Sequence, residues 1–297
     1  MAAKIDALGY VVAQSTDIAK WKHYGEQVLG MSTSDAPGGG LYLKMDERDF
    51  RIAVVPGDED RYLASGWECA DEARFNAACD ALKGAGVALT DGTDDEKALR
   101  QVSGMAVFTD PEGNRHEVTW GNTSASTPFV SPIGVEGFKT DGLGMGHTVL
   151  PAAGTFDETE KLFVDVLGFR VSDEFSMQFG PDAPVMRMHF LHCNGRHHSL
   201  ALGEMPNPAG CIHIMVEVNS KDEVDAAADR REAHNVKLMA TMGQHENDLM
   251  TSFYMMTPSN FALEYGFGGR MIDHETWETT QGEKVSLWGH DFSVGFQ

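Results

Sequence analysis

Leu8-Gly9-Tyr10-Val11-Val12 leads into a helical stretch ending Gln27-Val28-Leu29-Gly30-Met31, and the pattern then returns. Met145-Gly146-His147-Thr148-Val149 leads into a helical stretch ending Asp165-Val166-Leu167-Gly168-Phe169. In both, an apolar strand feeds a helix that stops at a glycine, the residue suited to the left-handed backbone past a helix C-terminus. An internal repeat of this kind bears directly on architecture, because each copy is one supersecondary unit needing a neighbour to cover its apolar face.

Two more pairs extend the repeat. Gly66-Trp67-Glu68-Cys69 precedes a helical run from Asp71 to Lys83, as Met215-Val216-Glu217-Val218 precedes one from Lys221 to His234. Phe108 to Asn114 turns into Val118-Thr119-Trp120-Gly121, as Met256 to Asn260 turns into Leu263-Glu264-Tyr265-Gly266. These last read as strand, Pro-containing turn, strand. Each half is therefore expected to hold two βαβββ units whose sheets curl into incomplete barrels around a cavity. The fold class expected is α+β, since strands outnumber helices. The boundaries expected are residues 1–130 for an N-terminal domain without metal, 137–285 for a C-terminal domain, and 286–297 for a tail. The Ser-, Thr- and Pro-rich stretch from Asn122 to Gly134 reads as the linker.

Composition narrows the partners. With 297 residues and 42% hydrophobic content the chain can bury a large core. A formal charge of −22 argues against nucleic acid, which calls for clustered Lys and Arg, and against an anionic membrane. The first ten residues lack the apolar core of a secretory leader, and no run approaches the roughly 20 apolar residues of a membrane span. Cys69, Cys79, Cys193 and Cys211 form no CxxC pair and read as small core residues. A cytoplasmic protein acting on small molecules is expected.

Laying one half on the other sets His147 against Tyr10, His213 against Ala64 and Glu264 against Thr119. A lone strand histidine is more often a satisfied core side chain than a ligand. Two histidines and a carboxylate at repeat-matched strand positions of one half only are a different matter. They compose a 2-His-1-carboxylate set, which leaves adjacent positions open on non-haem Fe(II), with Mn(II) as the alternative occupant.

The run His189-Phe190-Leu191-His192-Cys193-Asn194-Gly195-Arg196-His197-His198 carries a resemblance, together with His245-Glu246-Asn247-Asp248 and Ser252-Phe253-Tyr254. Glu264-Tyr265-Gly266 and the closing Leu287-Trp288-Gly289-His290 complete it. The chain resembles the type I extradiol dioxygenases, in particular the 2,3-dihydroxybiphenyl 1,2-dioxygenases, over nearly its whole length and most densely from Gly142 to Gly269. The resemblance implies a homo-oligomeric enzyme that opens a catechol ring beside its paired hydroxyls, inserting both atoms of O2 to give a dienoic acid. It implies iron ligands His147, His213 and Glu264, an acid–base His198, and His245 and Tyr254 at the catechol oxygens. Asn247 and Asp248 are implied as neighbouring groups. Thr148, Val149, Met177 and Phe190 are expected to shape the pocket for the distal ring, with the Met-rich Ser176 to Gly180 and Val185 to Met188; such methionines serve equally as adaptable core filler. His197 and His198, if on a strand, should point opposite ways. Dihydroxynaphthalene, trihydroxybiphenyl and alkyl-catechols remain alternative substrates, and a glyoxalase- or epimerase-like metalloenzyme or a non-catalytic aromatic-binding protein of the same fold remains an alternative reading.

Overall fold

The computed structural model describes residues 3–178 and 185–296. The first half runs β1 (Ala7–Ser15), α1 (Ile18–His23), β2 (Ser32–Ala36), β3 (Gly40–Lys44) and β4 (Ile52–Pro56). It continues through β5 (Arg61–Cys69), α2 (Glu72–Gly84), β6 (Thr90–Asp91), α3 (Asp94–Arg100), β7 (Gly104–Thr109) and β8 (Arg115–Trp120). The second half runs β9 (His147–Pro151), α4 (Phe156–Lys161), β10 (Arg170–Gln178), β11 (Val185–His192) and β12 (Leu200–Gly203). After it come β13 (His213–Val218), α5 (Lys221–Ala233), β14 (Leu238–His245), β15 (Thr251–Met256) and β16 (Ala262–Phe267). Two short strands, β17 (Thr280–Gly282) and β18 (Ser286–Gly289), follow.

Local chemistry explains where the helices begin and end. Asp71 and Ser220 cap α2 and α5 by accepting the backbone N–H groups of Arg74 and Glu223. Thr93 and Glu96 close a capping box on α3. The helices after β1 and β9 both continue into π-helical turns, Tyr24–Leu29 and Leu162–Val166. Gly30 and Gly168 lie just past them at φ of 76° and 77°. A Cβ on Gly168 would lie 2.0 Å from the carbonyl oxygen of Ala3, so a side chain is excluded there twice over.

The strands form one eight-stranded sheet, β2-β3-β4-β1-β5-β8-β7-β6, and one ten-stranded sheet, β17-β10-β11-β12-β9-β13-β16-β15-β14-β18. Each is two βαβββ units joined at their first strands, β1 against β5 and β9 against β13, both antiparallel. This is the mixed α+β, curled-sheet architecture expected from the repeat. One apolar core spans both halves, with Trp67 of β5 packed edge-on to Phe163 and Phe169. Residues from 286 onward do not trail free, since β18 pairs with β14. Phe179 and Gly180 of the Met-rich stretch lie outside the described residues.

Register corrects one alignment. Tyr10 pairs with Gly66 and Gly66 with Glu117; His147 pairs with Met215 and Met215 with Glu264. The counterpart of Glu264 is thus Glu117, not Thr119. Both candidates lie on the same face of β8, so strand alternation could not separate them. The first half therefore keeps the carboxylate and lacks the histidines. Its Glu117 is neutralised internally: Arg100 donates from Nε and Nη2 at 2.8 and 2.9 Å, and Tyr10 Oη donates at 2.7 Å. Burial pushes the Glu117 carboxyl up, but Arg100 outweighs it and holds the group below its usual range. The Arg100 guanidinium balances the Glu117 charge from within the chain.

Breaking such a buried pair costs about 3–5 kcal/mol. Arg115 still reaches Glu117 at 3.1 Å, so Arg100→Met should fall at the low end, near 3 kcal/mol. Chemical denaturation of the two proteins at neutral pH checks this, and an unchanged midpoint contradicts it. Because the Glu117 pKa is depressed, its contribution is complete above the unfolded value of about 4.3 and is lost as pH falls through the folded one.

Candidate metal centre

Three adjacent strands, β9, β13 and β16, carry His147, His213 and Glu264 at positions whose side chains share the concave face. Their ligand atoms all lie within 4.8 Å of one another. His147 Nε2 and His213 Nε2 are 3.2 Å apart, and each faces Glu264 Oε2, at 3.2 and 3.5 Å. Three donors bonded to one small divalent cation at about 2.1 Å would stand roughly 3.0–3.4 Å apart. The residues present fit such an ion.

Electrostatics agree. Burial lowers the His147 pKa to about 4, so its imidazole is neutral, the form that binds a metal. Burial opposes the charge on Glu264, but hydrogen bonds from His147, His213 and His245 hold its pKa well below the usual carboxylate range. Glu264 Oε1 is held separately, accepting the Ser252 hydroxyl at 2.6 Å. Oε2 is left for the cation.

Three further side chains face the same point. The His198 ring stacks on His147 at 4.0 Å and meets the Phe190 ring edge at 4.9 Å. Burial and the neighbouring His147 and His197 push its pKa well below 6.5. His245 Nε2 lies 2.7 Å from Tyr254 Oη and 3.4 Å from Glu264 Oε1. Burial would lower the His245 pKa, but the Glu264 and Asp248 carboxylates outweigh it and carry it to about 9. Tyr254 is raised well above 10 by burial and by Glu264.

His197 corrects an expectation. It does not turn away from His198: their Nδ1 atoms are 3.1 Å apart and their rings nearly perpendicular. Residues 197 and 198 lie in the loop between β11 and β12, where strand alternation does not apply.

Of the expected pocket residues, Val149 lies two positions from His147 on the same strand and hence on its face. Phe190 reaches the site through His198, and Met177 sits farther out on β10, paired with Met186. Asp248 is buried with Oδ2 4.0 Å from His198 Nδ1, and burial pushes its pKa up. Thr148 is not in the pocket: its hydroxyl donates to Tyr62 Oη at 3.3 Å on the opposite face of β9, toward the first half. Asn247 makes a turn contact, accepting the Asp248 N–H at 2.8 Å. Ser252 and His290 belong to the site; both stand in motifs that carry the resemblance, but the sequence alone assigns a role to neither.

The comparisons agree with this geometry. The family description "Dihydroxybiphenyl dioxygenase BphC D1" matches residues 8–57, and "Glyoxalase/Bleomycin resistance protein/Dioxygenase superfamily" matches residues 144–265. The chain is 42% identical over 302 residues to the iron-dependent extradiol dioxygenase of Rhodococcus jostii, covering 99% of each. It is 38% identical to a biphenyl-2,3-diol 1,2-dioxygenase of Metapseudomonas furukawaii, covering 96% of this chain and 93% of that one. The crystal structure of BphC, a halotolerant catechol dioxygenase, superposes with a TM-score of 0.89 at 36% identity, over 97% of this chain and 95% of that one. Nearly full-length identity at this level, on a fold that converges two histidines and a glutamate, places the chain in the extradiol dioxygenase family.

Proposed function

We propose that this protein is an Fe(II)-dependent extradiol dioxygenase that inserts both atoms of O2 into a 2,3-dihydroxybiphenyl-type catechol, giving a ring-opened dienoic acid. The observation that carries the reading is the convergence of His147, His213 and Glu264 with His198, His245 and Tyr254 around one point. Fe(II) held by the three donors supplies the redox chemistry by which a catecholate and dioxygen react, with Mn(II) as the alternative occupant.

The chain's own residues divide the remaining work. His245 Nε2 and Tyr254 Oη, already hydrogen-bonded to one another, hold and orient the catechol oxygens beside Glu264. His198 is engaged at Nδ1 by His197, so Nε2 is its atom for moving a proton to or from the substrate. General acid–base help of this kind contributes about 10²–10⁴ in rate. Phe190, packed edge-on against His198, presents apolar surface that suits a second aromatic ring, with Val149 buried on the ligand strand β9. Met177 and Met186, cross-strand neighbours on the β10–β11 hairpin, extend that surface.

The division into domains at 1–130 and 137–285 is part of the same reading, supported by the two sheets. So are a cytoplasmic location, which suits four unpaired thiols, and homo-oligomeric assembly, which suits exposed Leu287, Trp288 and Phe296. No helix of the described residues is long and apolar enough to cross a membrane.

Turnover of 2,3-dihydroxybiphenyl under ¹⁸O2 tests the reaction. Mass spectrometry should find both labelled atoms in a ring-opened acid; one label, or an intact ring, contradicts the proposal. Tyr254→Phe should raise KM for the catechol about 3- to 10-fold, the cost of one hydrogen bond of roughly 0.5–1.5 kcal/mol. Steady-state oxygen uptake measures this, and an unchanged KM removes Tyr254 from the binding role.

A further inference from the structure

The closing segment of the chain forms one edge of the second sheet and turns back toward the metal centre. β18 pairs with β14, and His290, the next residue, is buried beneath it. Its ring stacks on His245 with centroids 4.1 Å apart and planes at 29°. Its Nε2 lies 3.2 Å from Ser252 Oγ and 3.1 Å from the Ser252 carbonyl oxygen. Its Nδ1 lies 2.6 Å from Ser286 Oγ.

Proton bookkeeping gives the line a direction. Ser252 spends its one hydroxyl proton on Glu264 Oε1, so its oxygen must accept from His290 Nε2–H. His290 Nδ1 is then the acceptor for the Ser286 hydroxyl. Each group has one compatible role, and the line ends on the oxygen of Glu264 that does not face the two ligand histidines.

The backbone bears marks of this placement. His290 adopts φ of 51°, a left-handed conformation that non-glycine residues rarely hold unless something else requires the side chain. Gly289 before it has φ of 72°, and a Cβ there would meet the Met242 carbonyl oxygen at 2.1 Å. On β14, a Cβ at Gly243 would stand 2.5 Å from His290 Cγ. Gly243 makes room for the imidazole, and Gly289 lets the backbone before it approach β14 closely.

We infer that His290 is a positioning residue of the metal centre: through Ser252 it fixes Glu264 Oε1 so that Oε2 faces the cation, and by stacking it fixes the His245 ring. This rests on the metal-centre reading above. The C-terminal segment is thereby a working part of the active site and not only an edge of the sheet. Outer partners that orient metal ligands typically change metal affinity by about 10- to 100-fold when removed.

Co(II) titrated into the metal-free full-length protein, followed by its visible spectrum, tests this without turnover. His290→Ala should bind Co(II) at least about 10-fold more weakly, with a shifted spectrum. His290→Gln, whose amide can donate to Ser252, should recover most of the affinity. Ser286→Ala probes the line from its outer end if His290→Ala folds poorly, and should weaken binding in the same sense. Phe296→Ser, on the exposed end of the tail, should bind as wild type does. Unchanged affinity and spectrum in His290→Ala or Ser286→Ala overturn the inference. So does a His290→Gln protein as weak as His290→Ala, or an equal loss in Phe296→Ser, since either assigns the effect to packing. A wild-type protein that binds no Co(II) overturns the metal-centre reading, and this inference with it.

Discussion

Glu264→Gln should lose its metal: after dialysis the variant should retain little of the iron that wild type is expected to keep, with affinity down by more than about 100-fold, beyond the range for outer partners. The argument is electrostatic. Glu264 is the one carboxylate among the three donors and is buried, so its charge is what balances a dication held there. A glutamine can keep the Ser252 hydrogen bond through its amide oxygen, and volume is unchanged. Its amide nitrogen would then face His147 Nε2 and His213 Nε2, offering donors where the cation needs acceptors. Metal analysis, with circular dichroism as the control for folding, measures the outcome. Wild-type metal content in Glu264→Gln contradicts the ligand assignment.

His198→Phe should keep its metal and its substrate affinity and lose turnover, with kcat down by about 10²–10⁴. Phenylalanine preserves the stack on His147 and the contact with Phe190, so the cavity survives. What disappears is the one ring atom placed to carry a proton at the substrate. A variant with a lowered kcat and a raised KM would instead indicate a collapsed pocket. Near-wild-type kcat with full metal would remove His198 from proton transfer.

The repeat was legible because it is written in local chemistry. Gly30 and Gly168 end equivalent helices, and apolar strands precede both. From that, the position of His147 against Tyr10 and of His213 against Ala64 follows, and sheet register agrees. The match of Glu264 to Thr119 failed by one alternation, because 117 and 119 share a face and only hydrogen-bonded pairing distinguishes them. Thr148 was misplaced for the opposite reason: its neighbour His147 faces the cavity, so it cannot. His197 escaped alternation altogether by lying in a loop.

What sequence could not show is contact across long separations. Ser252, Ser286 and His290 are ordinary residues until the tail folds over β14 and lines them up behind Glu264. The same holds for Arg100, whose helix α3 delivers a guanidinium to Glu117 and leaves the first half with a neutralised copy of the site. Both are properties of tertiary packing: the motifs around Ser252 and His290 are visible in the sequence, but not the contacts that give them a role.

Oxygen uptake is the most direct test of the central claim. Protein reconstituted with Fe(II) in the absence of air, then given air-saturated buffer and 2,3-dihydroxybiphenyl, should consume one O2 per catechol as a yellow ring-opened acid appears. Stable iron with no oxygen consumption on any catechol would contradict it, and would mark the chain as a binder of aromatic diols that does not turn them over.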